Sequence, residues 1–175
     1  MKRVVIEPPA FLSMIISTVE TYKLENYGLL LGYKLNYGYV VEHAVPIISA
    51  KRSPFSVELN RKRERRVDEI IKNLQMGLEV IGDFHSHTGL KNLPAESVPS
   101  PEDLDTMERG KVYIVISVNE STFRSQAFSK WSYLKEGKGV RGTVWGLNIE
   151  VKAFELANEA EFKELKIICP VAAGI

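Results

Sequence analysis

Leu78-Glu79-Val80-Ile81-Gly82-Asp83-Phe84 runs straight into His85-Ser86-His87. The apolar run predicts a buried strand, and side chains along a strand alternate between its two faces. His85 and His87 then point to one side and Ser86 to the other. Two imidazoles on one side, at the end of a strand, can each turn a nitrogen toward one metal ion. Two polar residues at a strand end would be the plainer reading, so the rest of the chain has to supply further ligands and a base.

Working outward, the chain before this stretch alternates strands with helices. Arg3 to Ile6 predicts a first strand, which Pro8 and Pro9 end while opening a helix, since proline is tolerated in a helix's first turn. Phe11, Met14, Ile15, Val19 and Tyr22 recur at helical spacing over about 9–23. Tyr27 to Tyr33 lacks alternation and reads as a strand covered on both faces. Asn36-Tyr37-Gly38 marks a hairpin turn into a returning strand over 39–48. Segment 55–59 is either an edge strand or the lead into a helix that carries Val67, Ile70, Ile71 and Leu74 on one face and is closed by Gly77. The charge run Arg61-Lys62-Arg63-Glu64-Arg65-Arg66 reads as a solvated helix face rather than a patch for an acidic partner.

After the histidines, 88–99 is a loop and Ser100-Pro101-Glu102-Asp103 opens a helix to about 109. A buried strand follows over 111–118, then strands over 123–131 and 142–152, with Gly137-Lys138-Gly139 in the loop between them. A helix is expected over 157–166. The expected organisation is a single domain over 1–153, with a C-terminal helix and tail, 154–175, packed on it. The hairpin at 36–38 makes the sheet mixed, so the class is α/β or α+β, a mixed sheet flanked by helices.

Bulk properties narrow the function classes. The 175 residues can bury a proper core, and 45% apolar with 26% charged residues is ordinary for a soluble globular chain. A net charge of +1 gives no reason to expect nucleic acid or an anionic membrane as partner. The single cysteine, Cys169, excludes an intramolecular disulfide and fits a reducing compartment. The N-terminal apolar run is too short for a signal peptide, and no stretch of about 20 apolar residues is present to span a bilayer. The expected location is cytoplasmic; oligomeric state is not legible.

Three protein ligands and an open position are the pattern of a catalytic zinc. Asp103 is the natural third ligand beside His85 and His87. Ser100 and Asp103 equally resemble a helix capping box with Pro101 at the first helical position. Both readings can hold, because a capped helix terminus is a rigid mount for a ligand. Glu25, just before the strand at 27–33, is the candidate general base, and an exposed glutamate after a helix is the alternative. His43, Trp131, Trp145 and Cys169 read as surface or packing residues.

Together, Glu25-Asn26-Tyr27-Gly28-Leu29-Leu30-Leu31-Gly32, His85-Ser86-His87 and Ser100-Pro101-Glu102-Asp103 resemble the signature of the JAMM (MPN+/Mov34) zinc metalloproteases, over roughly residues 3–130. The resemblance implies one MPN/JAMM-like domain of cytidine-deaminase-like architecture and one Zn²⁺ per chain bound by His85, His87 and Asp103. It implies Glu25 as general acid/base on the zinc-bound water, Ser100 as donor to the oxyanion, and Ser86 as structural. It further implies an isopeptidase or peptidase acting after the C-terminal Gly-Gly tail of a ubiquitin-like or sulfur-carrier protein. Two departures stand out: Thr88 replaces the family's usual proline, and the loop 88–99 is longer than usual. Such a loop is a candidate lid, and segment 53–59 is a candidate edge for pairing a substrate tail. A non-catalytic MPN-type binding module is the alternative. A nucleobase deaminase would need a Pro-Cys-x-x-Cys element, which this chain lacks.

Overall fold

The computed structural model describes residues 2–47, 51–52, 57–58, 61–89, 93–121, 128–158 and 161–173. The elements run β1 (Arg3–Ile6), α1 (Pro8–Glu20), β2 (Tyr27–Leu35), β3 (Gly38–Pro46), β4 (Lys51–Arg52), β5 (Val57–Glu58), α2 (Arg61–Asn73), β6 (Glu79–Thr88) and α3 (Pro101–Thr106). They continue with β7 (Val112–Glu120), β8 (Ser132–Tyr133), β9 (Val140–Val144), β10 (Leu147–Asn158), β11 (Glu161–Ile168) and α4 (Pro170–Ala173). The fold is a mixed α+β arrangement, one large sheet with few helices.

The large sheet has the order β11-β1-β3-β2-β6-β7-β10-β9-β8, and β11 also pairs with β10. That extra pairing closes β1, β3, β2, β6, β7, β10 and β11 into a ring. β6 and β7 are parallel, as are β1 and β3 and β1 and β11; β2 is antiparallel to both β3 and β6. The apolar residues of α1 (Ala10, Phe11, Met14, Ile15) share one buried cluster with Leu30, Phe84, Ile114, Ile116, Ile149 and Leu165 from the strands. On the opposite face, Val67 and Ile71 of α2 cover Leu29, Tyr27 and Val80. Met107 and Leu104 pack with Tyr113, Val115 and Phe154 farther along that face.

A bulge sets the face on which β6 presents its polar residues. Leu30 pairs with Gly82 and Leu31 with Val80, so Ile81 is an extra residue on β6. Beyond it, Asp83, His85 and His87 lie on the α2 side, while Phe84 and Ser86 are buried on the α1 side. The histidines are within the strand, which continues to Thr88, rather than just beyond its end.

Two sequence expectations are corrected. The helix expected over 157–166 is the end of β10 and the strand β11. Its Glu, Lys and Ala residues favour helix, but β11 pairs with β1 on one edge and β10 on the other. Buried Leu165 and Ile167 alternate with exposed Lys166 and Ile168, so tertiary pairing overrides the local preference. The single strand expected over 142–152 is instead the hairpin β9–β10. Its two turn residues, Trp145 (φ 52°) and Gly146 (φ 73°), both take the left-handed conformation that tight hairpins require. Tryptophan in that position hides the turn from a sequence reading. Of the strand expected over 123–131, residues 122–127 lie outside the described residues, and Phe128 bridges Val144. Of segment 53–59, only Val57–Glu58 is described, paired antiparallel with Lys51–Arg52.

Candidate metal centre

The centre is assembled where β2, β6 and α3 meet. Tyr27 pairs with His85 across β2 and β6. Just before β2, the Asn26 N–H donates to Ser86 Oγ at 2.8 Å and the Ser86 N–H donates to the Asn26 carbonyl at 3.0 Å. Asn26 Nδ2 donates to Ser17 Oγ of α1 at 2.7 Å. Asn26 and Ser86 are fully buried, so this knot ties the helix to the histidine strand and fixes the chain at Glu25. Ser86 faces away from the two histidines, as the strand alternation predicts.

Ser100 caps α3 and Asp103 closes the capping box. The Asp103 N–H donates to Ser100 Oγ at 3.2 Å, and the Ser100 N–H donates to Asp103 Oδ2 at 2.6 Å. The same Oδ2 lies 3.2 Å from His85 Nε2 and 3.4 Å from His87 Nε2. The two Nε2 atoms are 3.1 Å apart. Capping and clustering with the histidines are therefore two uses of one carboxylate, as the sequence allowed.

This triangle fits a metal ion. A tetrahedral site with bonds of about 2.0–2.1 Å has ligand–ligand edges of about 3.3–3.4 Å. The three observed edges, 3.1, 3.2 and 3.4 Å, are close to that value. Among the described residues, His85, His87 and Asp103 are the group of side chains that could hold a metal ion. The His87 Nδ1–H donates to the Glu96 carbonyl at 2.9 Å, so Nε2 faces the triangle, and in the neutral ring that nitrogen carries the lone pair a metal would take.

Electrostatics point the same way. Burial opposes ionisation of Asp103, yet hydrogen bonds from His85 and His87, the charge of His85 and the Ser100 N–H hold its carboxyl well below the usual carboxylate range. Burial lowers His87, but Asp103, the Glu96 carbonyl and Glu25 together carry it above its ordinary value. The site thus favours added positive charge. Burial pushes Glu25 up to about 7, with His87 pulling it down and Asp103 pushing it up. Glu25, His85, His87, Ser100 and Asp103 all line one cleft of about 1350 Å³. All five residues singled out in the sequence are thus brought together.

Residues 7–129 match the family described as prokaryotic homologs of the JAB domain. The chain belongs to this prokaryotic JAB family. The matched span includes Glu25, both histidines, Ser100 and Asp103, and JAB domains include both peptidases and non-catalytic members. The fold is similar to the solution structure of protein DSY2949 from Desulfitobacterium hafniense. The two chains are 22% identical with a TM-score of 0.60, covering 95% of this chain and 92% of that one. No curated protein matches the chain.

Within this JAB domain, sequence reasoning missed Asn26 and the Glu96 carbonyl. Asn26 had a signal, a polar residue set against an apolar strand, but its partners come from α1 and β6. Glu96 acts through its backbone, which leaves no signature in a side-chain pattern. His43 and Cys169 stay apart from the cluster. His43 is exposed on β3, and burial pushes the Cys169 thiol up. No helix among the described residues is long and apolar enough to cross a membrane.

Proposed function

We propose that this chain is a zinc-dependent isopeptidase or peptidase that hydrolyses the bond after the diglycine tail of a ubiquitin-like or sulfur-carrier protein. The observation that carries the reading is the triangle of His85, His87 and Asp103 with a partly buried Glu25 in the same cleft. His85 and His87 would hold the ion through Nε2 and Asp103 through Oδ2, the layout that the deaminase-like JAMM resemblance implies. Zinc, when bound there, supplies Lewis acidity and lowers the pKa of water toward about 7.

The remaining chemistry falls to the chain. Glu25, whose carboxyl burial raises in the metal-free chain, accepts a proton and returns it to the leaving amine. Ser100 Oγ already accepts the Asp103 N–H, so its own proton is free to donate to the developing oxyanion. A glycine tail suits this cleft because it can lie extended and pair through its backbone; segment 53–59 is the candidate edge for it. The single thiol, Cys169, buried and unpaired, suits a reducing cytoplasm.

The test is cleavage of a fusion in which a diglycine-tailed carrier is linked to a reporter amine. Zinc-loaded wild type releases the reporter and Glu25→Gln does not, although it still holds zinc. Failure of the zinc-loaded wild type to cleave any such fusion would leave the non-catalytic binding role.

A further inference from the structure

The loop 88–99 is the chain's departure from the pattern it resembles, and its described part is anchored rather than free. Asn119 near the end of β7 makes two hydrogen bonds to one residue of that loop. The Ala95 N–H donates to Asn119 Oδ1 at 2.7 Å, and Asn119 Nδ2 donates to the Ala95 carbonyl at 3.0 Å. The side-chain amide thus pairs with Ala95 as a neighbouring strand's backbone would. The next carbonyl along the loop is that of Glu96, which receives the His87 Nδ1–H.

We propose that Asn119 is a positioning residue for the metal centre: by clamping Ala95 it fixes the Glu96 carbonyl that holds His87 in its metal-binding tautomer. This rests on His85, His87 and Asp103 binding a metal.

The sheet register makes the clamp possible. His87 pairs with Ser117 across the parallel β6 and β7, so Asn119, two residues beyond Ser117, lies on the same face as the histidines. The Gly89 N–H donates to the Val118 carbonyl at 2.8 Å, turning the chain out of β6 beside Asn119. A Cβ on Gly89 would sit 2.3 Å from Asn119 Oδ1 and 3.2 Å from the Ala95 nitrogen, so glycine here clears the space in which the clamp forms. On the far side of Glu96, buried Ser97 donates through Oγ to Glu150 Oε1 at 2.6 Å. The Glu96 carbonyl is therefore held from both flanks, by Asn119 before it and Glu150 after it. A ligating histidine needs its other ring nitrogen tied to a fixed acceptor, and loss of such a partner weakens metal binding.

The experiment is a competitive chelator titration of zinc with wild type, Asn119→Ala and Asn119→Asp, joined to nitrogen-detected NMR of the histidine rings in the zinc-loaded proteins. Asn119→Asp keeps the size and the acceptor for the Ala95 N–H but cannot donate to the Ala95 carbonyl, and it carries the test if the alanine variant does not fold. We expect about 10–100-fold weaker zinc binding. The His87 Nδ1–H signal should weaken by faster exchange while the His85 ring signals stay in place, which a general loss of stability would not produce. Zinc binding as tight as wild type in a folded variant, with the His87 signal unchanged, overturns the proposal and leaves the metal centre standing. Absence of zinc binding in wild type itself overturns the metal centre and the proposal with it.

Discussion

Replacing Ser86 with alanine separates the scaffold of the site from its chemistry. Ser86 Oγ accepts the Asn26 N–H at 2.8 Å, and both residues are closed to solvent, at 1% and 0% exposure. The variant leaves that buried N–H without its acceptor, which costs about 1–3 kcal/mol. For a chain of this size a loss of 1 kcal/mol lowers Tm by about 2–4 °C, so the expected fall is about 2–12 °C. Circular dichroism during urea and thermal unfolding of the metal-free protein reads the loss directly. Because Ser86 points to the α1 side, zinc affinity should change little, while cleavage should fall as Glu25 loses its anchored neighbour. A variant as stable as wild type would refute the idea that the Asn26–Ser86 knot holds the site together.

Other outcomes follow from the same geometry. Asp103→Asn should lose zinc, read by metal analysis after dialysis, and should also flatten the acid limb of the metal-free protein's stability. The sign is set by the folded carboxyl lying below its unfolded value of about 3.9: Asp103 contributes stability above that pH, and the contribution is lost as pH falls below it. Glu25 has the opposite sense. Its folded value, about 7, lies above that of the unfolded chain, so its contribution is fully present in acid and is lost as pH rises through 7. Glu25→Gln should therefore make the metal-free protein more stable than wild type at pH about 8, by denaturant titration, while abolishing cleavage. Ser100→Ala should cost about 1 kcal/mol through the lost cap, and lower the turnover of the zinc-loaded enzyme about 10²–10³-fold, as removal of an oxyanion donor does.

Much of this was legible because the sequence writes it locally. Alternation along 78–87 put His85 and His87 on one face and Ser86 on the other, and only the bulge at Ile81 was hidden. The serine and aspartate three residues apart announced a capped helix, and the cap is there. Val112 to Val118 reads as a strand because it is buried on both faces. What was not legible depends on distant partners. β11 looks helical in isolation and becomes a strand because β1 and β10 offer it two open edges. The turn at Trp145 is masked by a residue that rarely adopts its conformation. Asn119 reaches Ala95, and the Glu96 carbonyl reaches His87, only after the loop has folded back over β7, and no periodicity encodes that return.

Zinc-edge X-ray absorption on the protein loaded with one equivalent of zinc reads the metal centre itself. The expected spectrum is that of a four-coordinate ion with two imidazoles and only light-atom ligands at about 2.0–2.1 Å, with one imidazole lost in His87→Ala. A spectrum with sulfur from Cys169, or with no imidazole scattering, would contradict it.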